Sequence, residues 1–372
     1  MLKFDKDVLL KKILPLLRVA TTKGLPIYEF LQFALPHDDS ASVFVTATDG
    51  KTSLTVKVPT LENPTGDTFT CVSSRLLVDL LKTLPAGEVT MDNKDCDKNI
   101  KICWPSGKSS IYVAYYGDFP NINKVAGDKI LMTFNQKKLC NAILKAIPAT
   151  ADEDYGRPAL ASLYFDCKDN LFNVVASDSH RLVLTSYPME VSEGNFLLPE
   201  KAAIVLKGIL THDEDVEILA DEGHVLFRTK DYELVSNLVV AKFPKYKDII
   251  PKDCPGRMVI EKDLLTGILR RMNVFCSKAI SVIRLVFTEH SLTVESQDLA
   301  IGAAGRESIV TDYSGPDVTM NIKVPLMLET LSSIDSPKVD VGVTETLRPL
   351  VIRPASEYLE DEPVVALLMP IR

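Results

Sequence analysis

One pattern recurs three times along the 372 residues and limits the folds open to them. Residues 4–14, 134–144 and 260–269 each read as a short strand ending on an apolar residue, then a helix. Each helix has a polar or acidic start and apolar positions near i, i+3, i+4 and i+7. The copies begin 130 and then 126 residues apart. A second helix keeps step at residues 73–81, 199–206 and 324–331, each followed within a few polar residues by a strand, at 89–91, 216–218 and 339–341. Two periodicities holding over one interval imply tandem copies of a single plan. The expected domains are 1–126, 127–254 and 255–372, of ordinary domain size at roughly 100–200 residues each.

Punctuation agrees with the repeat. Asp118-Phe119-Pro120 and Lys242-Phe243-Pro244 close the first two copies, with linkers expected at 121–128 and 251–256. Between the helices, β-rich runs such as 43–48, 53–58, 100–104 and 110–115 alternate with turn residues, the pattern of a meandering antiparallel sheet. The expected class is α+β, two helices packed on antiparallel sheets in each domain.

Composition narrows the function. A net charge of −8 argues against non-specific coating of nucleic acid, which needs many phosphate-neutralising Lys and Arg, although a local basic surface remains open. The seven cysteines form no Cys-x-x-Cys pair, against both a disulfide framework and a zinc site, and fit a reducing cytoplasm. Residues 1–7 carry acids where a signal peptide has an apolar core, and no apolar run approaches the roughly 18 residues of a membrane span. A soluble, unexported protein is expected.

Catalytic constellations are weak. Gly107-Lys108-Ser109 ends like a phosphate-binding loop, but Ile102 stands where that loop needs its first glycine, so a turn between strands is expected there. Asp178, Ser179 and His180 supply the residue types of a hydrolytic triad, yet neighbours on a strand point to opposite faces and cannot relay a proton. The five histidines show no metal-ligand spacing, and the acidic runs 152–154, 213–215 and 360–362 read as solvated turns. No catalytic residue, metal or cofactor is expected.

Charge is segregated. The six helices expected at 5–18, 73–84, 135–147, 199–211, 261–275 and 324–334 carry +7 together, leaving −15 on the rest of the chain. Lys11 and Arg18, Arg75 and Lys82, and Lys138 and Lys145 are each seven apart, two helical turns and hence one face. Lys and Arg are also good helix formers on solvated faces. The repeat favours a positively lined surface, because it puts comparable helices in comparable places. The sixth helix has no basic residue.

The stretch 174–184 is two apolar runs joined by Ser177-Asp178-Ser179-His180-Arg181, a hairpin whose Asp and Ser can bond their own backbone. With 243–251 and 364–372 it resembles the bacterial DNA polymerase III β subunit, the β sliding clamp family, over nearly the whole chain. Ser177–Leu182 is similar to that family's Ala/Thr-Asp-Gly-His-Arg-Leu stretch, residues 23–27 to its Arg-x-x-Leu-Pro-Ile segment, and residues 157–160 to its Arg-x-x-Leu pocket segment.

The resemblance implies a non-catalytic processivity factor, a head-to-tail homodimer forming a ring around duplex DNA. Polymerase, clamp loader and repair proteins would dock on it through short peptides. It implies a peptide pocket of Arg157, Leu160, Ser177, His180, Arg181, Leu182, Pro244, Ile249, Leu367, Met369, Pro370 and Arg372. It turns Lys11, Arg18, Lys23, Arg75, Lys82, Lys138, Lys145 and Lys201 toward DNA, Lys23 and Lys201 from loops, and puts Leu76, Ile111, Val113, Val274 and Phe275 at the dimer joint. Ser179 replaces the family's usual glycine, so a turn needing positive φ would be strained. Other readings of the same residues are a peptide-binding scaffold that never encircles DNA and, more remotely, a hydrolase using Ser179 and His180.

Overall fold

The computed structural model describes residues 1–35, 41–64, 70–92, 98–122, 125, 130–277 and 279–371. Helices α1 (Lys6–Ile13), α2 (Ser74–Thr83), α3 (Gln136–Ala146), α4 (Glu200–Lys207), α5 (Lys262–Asn273) and α6 (Val324–Ser332) begin within a residue of the expected starts. Asp5 caps α1, its Oδ1 accepting the Val8 N–H at 2.9 Å, one of the donors a helix start leaves open. The expected continuation of that helix to residue 18 is a 3₁₀ turn, Leu14–Arg18, instead. Pro15 has no N–H to donate, and its ring crowds the preceding turn.

The chain divides into two compact units, residues 1–139 with 204–238 and residues 140–203 with 239–372. The middle sequence copy therefore contributes strands to both. In the first unit one 12-stranded antiparallel sheet runs from Leu2–Asp5 through Glu88–Asp92, Asn99–Trp104, Gly107–Ala114, Thr70–Ser73, Phe30–Ala34, Ser42–Thr48 and Thr52–Pro59. It continues through Tyr232–Asn237, His224–Arg228 and Asp215–Ala220 to Ile130–Asn135. Thr52–Pro59 and Tyr232–Asn237 pair directly, from Val56 opposite Tyr232 to Thr52 opposite Ser236. Helix α1 packs against α2 and the strand Thr52–Pro59, burying Leu9 and Ile13 with Leu77, Val78 and Leu81.

In the second unit an eight-stranded sheet joins Gly194–Pro199, Ser162–Lys168, Leu171–Ser177 and Arg181–Pro188 to Val364–Leu368, Leu350–Pro354, Lys338–Val343 and Gly256–Glu261. A four-stranded sheet holds Ala303–Val310, Ser291–Asp298, Val282–Thr288 and Val318–Lys323 in that order. Helix α5 packs on α6 and on this smaller sheet, and α6 packs on Val364–Leu368.

The expected turn between strands is made by residues 105–106, and Gly107 closes it opposite Trp104 as the first residue of the strand Gly107–Ala114. A Cβ there would come within 2.7 Å of the Trp104 ring, so the glycine lets the indole lie over the backbone. That strand pairs with Asn99–Trp104 along most of its length but with Thr70–Ser73 only at Val113 and Ala114. Ala303–Val310 is an outer strand, at the edge of the smaller sheet. Among the described residues no helix is long and apolar enough to cross a membrane.

Candidate functional site

The hairpin Leu171–Ser177 to Arg181–Pro188 is closed by its own polar residues. Asp178 Oδ1 accepts the N–H groups of His180 and Arg181, both at 2.9 Å, and Ser177 Oγ donates to the Arg181 carbonyl at 2.7 Å. Ser179 takes a φ of 78°. The buried Arg181 guanidinium is held by Asp178 Oδ2 at 3.0 Å through Nε and by the Glu329 carboxylate of α6 through Nη1. Asp178 is thus committed to the backbone and to Arg181, and is not free to orient the His180 imidazole as a triad would require.

The second wall is the C-terminal strand. Val364–Leu368 pairs with Arg181–Thr185, and the ladder ends where Met369 N–H donates to the His180 carbonyl at 2.7 Å. Ile371 N–H then donates to the Asn321 carbonyl at 2.8 Å, pinning the tail to the smaller sheet.

The third wall is aromatic. Phe243 stacks on Tyr164 with centroids 4.8 Å apart, and Tyr246 OH donates to Asp166 Oδ2 at 2.6 Å. Burial first, and then the Asp166 bond, push the Tyr246 phenol well above its ordinary value. Beneath lies a continuous core that includes Leu160, Leu182, Leu184, Leu197, Val351 and Leu367.

These walls enclose a cleft of about 300 Å³. Nine residues expected from sequence line it: Arg157, Leu160, Ser177, Arg181, Leu182, Pro244, Ile249, Leu367 and Met369. The His180 side chain and Pro370 do not; His180 is exposed and takes part through its backbone carbonyl. Arg372 lies outside the described residues. Ser179, Phe243 and Tyr246 line the cleft without having been expected. The two aromatics stand in the 243–251 stretch already singled out, where an aromatic on each side of Pro244 was the available signal.

The basic positions divide. Lys11, Arg18, Lys23, Arg75, Lys82, Lys138 and Lys201 are exposed, with Lys201 on the first turn of α4 rather than in a loop. Lys145 departs from its expected role. Only 4% exposed, its Nζ pairs with Asp335 Oδ2 at 2.8 Å and with the buried Glu362 carboxylate, which also accepts the N–H groups of Asp335 and Ser336. Glu362 is accordingly not the solvated turn acid that its acidic run suggested.

At the expected joint, Leu76 and Val274 are 57% and 75% exposed and Val113 and Phe275 half-buried. Ile111 is already buried in its own unit, opposite Ile100.

Comparison with known proteins gives one answer. The chain is 25% identical over 342 residues to the beta sliding clamp of Staphylococcus epidermidis, covering 89% of this chain and 88% of that protein. It is 24% identical over 344 residues to the beta sliding clamp of Staphylococcus aureus, with the same shares covered. Its fold matches the DNA polymerase III subunit beta of Pseudomonas aeruginosa at a TM-score of 0.92 and 20% identity, over 100% of this chain and 99% of that one. The Thermotoga maritima β subunit matches at a TM-score of 0.89 and 22% identity, with the same coverage. Two domain models, the central and the C-terminal domain of the DNA polymerase III beta subunit, match residues 133–245 and 247–372, most of the chain between them. The chain therefore belongs to the DNA polymerase III beta subunit family, the bacterial sliding clamps.

Proposed function

We propose that this chain is a DNA polymerase processivity factor, a sliding clamp that closes around duplex DNA and tethers its partners, and that it is not an enzyme. The observation that carries the reading is the apolar cleft, where segments near residues 160, 180, 245 and 368 meet. Such a cleft suits a short peptide whose Leu or Phe anchors bury apolar area while a few polar groups fix its direction. Met369 widens the choice of anchor, since an unbranched thioether repacks around different shapes. Polymerase, clamp loader and repair proteins are the partners that would carry such peptides.

Three tandem domains, 1–126, 127–254 and 255–372, pair head to tail with a second copy to form the ring, and the cytoplasm is its place of work. Lys11, Arg18, Lys23, Arg75, Lys82, Lys138 and Lys201 supply its DNA-facing charge. Contacts with phosphate that are few and blind to sequence let the ring slide, and closure supplies the retention that affinity does not. The edge strand Ala303–Val310, and the part of Gly107–Ala114 before Val113 that is paired on one side only among the described residues, have backbone groups that a second copy could pair, and exposed edges of this kind are otherwise a liability.

Removing the residues after Leu368 tests the reading. The trimmed protein should lose affinity for a Gln- and Leu-rich clamp-binding peptide in calorimetry, yet stay dimeric and remain on nicked circular DNA. Unchanged peptide affinity would move the binding site elsewhere.

A further inference from the structure

Next to the peptide cleft lies a second cleft of about 280 Å³, and Ile249 lines both. Their chemistry differs. The first is mostly apolar, whereas the second is lined by the carboxylates of Asp248, Asp253 and Glu345 against one guanidinium, Arg348. None of these four has an ion-pair partner among the described residues. The lysines of the same loop do not compensate from within. Lys247 reaches Asp166 at 3.5 Å instead, and Lys245 and Lys252 are exposed outside the lining.

A separate observation points to a missing ligand. Thr344 lines this cleft, is only 9% exposed, and its Oγ1 has no hydrogen-bond partner among the described residues. A buried hydroxyl without a partner is costly, and such sites commonly wait for a water or a ligand group.

We propose that this second cleft extends the peptide site and takes a cationic side chain, Lys or Arg, standing close in sequence to the apolar anchor. The inference rests on the peptide-binding reading of the first cleft and adds to it the charge of the partner's flank. With the anchor seated against Ile249, the extended backbone carries its next side chains past that residue into the acidic lining. An arginine fits best, because its several N–H donors can serve two carboxylates and the Thr344 hydroxyl together. An acidic flank at the same point meets like charge and is rejected, so the cleft sorts partners that share the same apolar anchor.

The test uses the full chain and five synthetic peptides with one Gln- and Leu-rich core: bare, extended by Arg at either end, and extended by Glu at either end. Calorimetry at low salt should show one Arg peptide binding roughly 3- to 5-fold tighter than the bare core, as expected for a solvent-exposed ion pair. Glu at that same end should bind more weakly than the bare core. The gain should vanish in salt of about 0.5 M, where exposed charges are screened. It should also vanish in the Asp253→Asn, Glu345→Gln variant, with the bare core's affinity unchanged. Equal affinities for all five peptides, or a gain that survives in the variant, overturns this proposal while leaving the peptide cleft in place. Failure of the bare core to bind overturns the peptide reading, and this proposal with it.

Discussion

Ser179 holds a φ of 78° at the tip of the hairpin that forms one wall of the cleft, a backbone region where a Cβ crowds the following carbonyl. The turn needs the conformation because Asp178 bonds both His180 and Arg181 across it. Ser179→Gly should therefore stabilise the chain by about 1 kcal/mol. A urea midpoint that stays put or falls would show that the serine is not strained. Tyr246 answers to pH in a stated direction. Its phenol is held above the ordinary value of about 10, so the neutral form is favoured in the folded state. The stability this contributes is fully present below about pH 10 and is lost as pH rises toward the folded value. Tyr187 and Tyr232, pushed up by burial to about 12, add to the same alkaline loss. Tyr246→Phe should cost about 1.5–3 kcal/mol at neutral pH, through the Asp166 bond, and lose less than the parent on going to pH 11. Denaturant titrations at the two pH values measure both effects.

At the scale of elements, two kinds of lysine look alike in sequence and act differently. Lys11, Arg75, Lys82 and Lys138 lie on exposed helix faces, so reversing all four to Glu should leave the melting temperature within a few degrees and impair loading onto nicked circular DNA. Normal loading of this variant would remove them from the DNA-facing surface. Lys145→Met should do the opposite damage, lowering stability by about 3 kcal/mol, because it leaves the Glu362 carboxylate buried without its cation. The difference was not legible beforehand. Lys138 and Lys145 share a helical face by spacing, but Glu362 is 217 residues away and only the fold brings it there. The elements themselves were legible, since apolar spacing and polar starts are local signals, and the repeat supplied each of them three times. The cleft was legible where a motif carried it, at 177–182 and 364–369. Phe243 and Tyr246 were missed as wall residues because their place depends on Tyr164 and Asp166, which no local pattern links to them.

For the whole molecule, the joint between chains is the feature most open to test. Val274 is 75% exposed at the end of α5, and Phe275 lies over Gly305, where a Cβ would come within 2.6 Å of its ring. Changing Val274 and Phe275 to Asp should yield a folded monomer by mass measurement, since charge would have to be buried at the joint. A dimer that persists at nanomolar concentration places the joint elsewhere. The middle copy's two seams decide what such a joint is for. Thr52–Pro59 is laddered to Tyr232–Asn237 in one unit, and Arg181–Pro188 to Val364–Leu368 in the other. A flexible linker bends at little cost, but a laddered seam is stiff, because bending it open means breaking several backbone hydrogen bonds together. Compliance is thus designed out of both seams. A machine prying at either seam would have to break that ladder whole, whereas the contact between chains is spanned by no covalent bond.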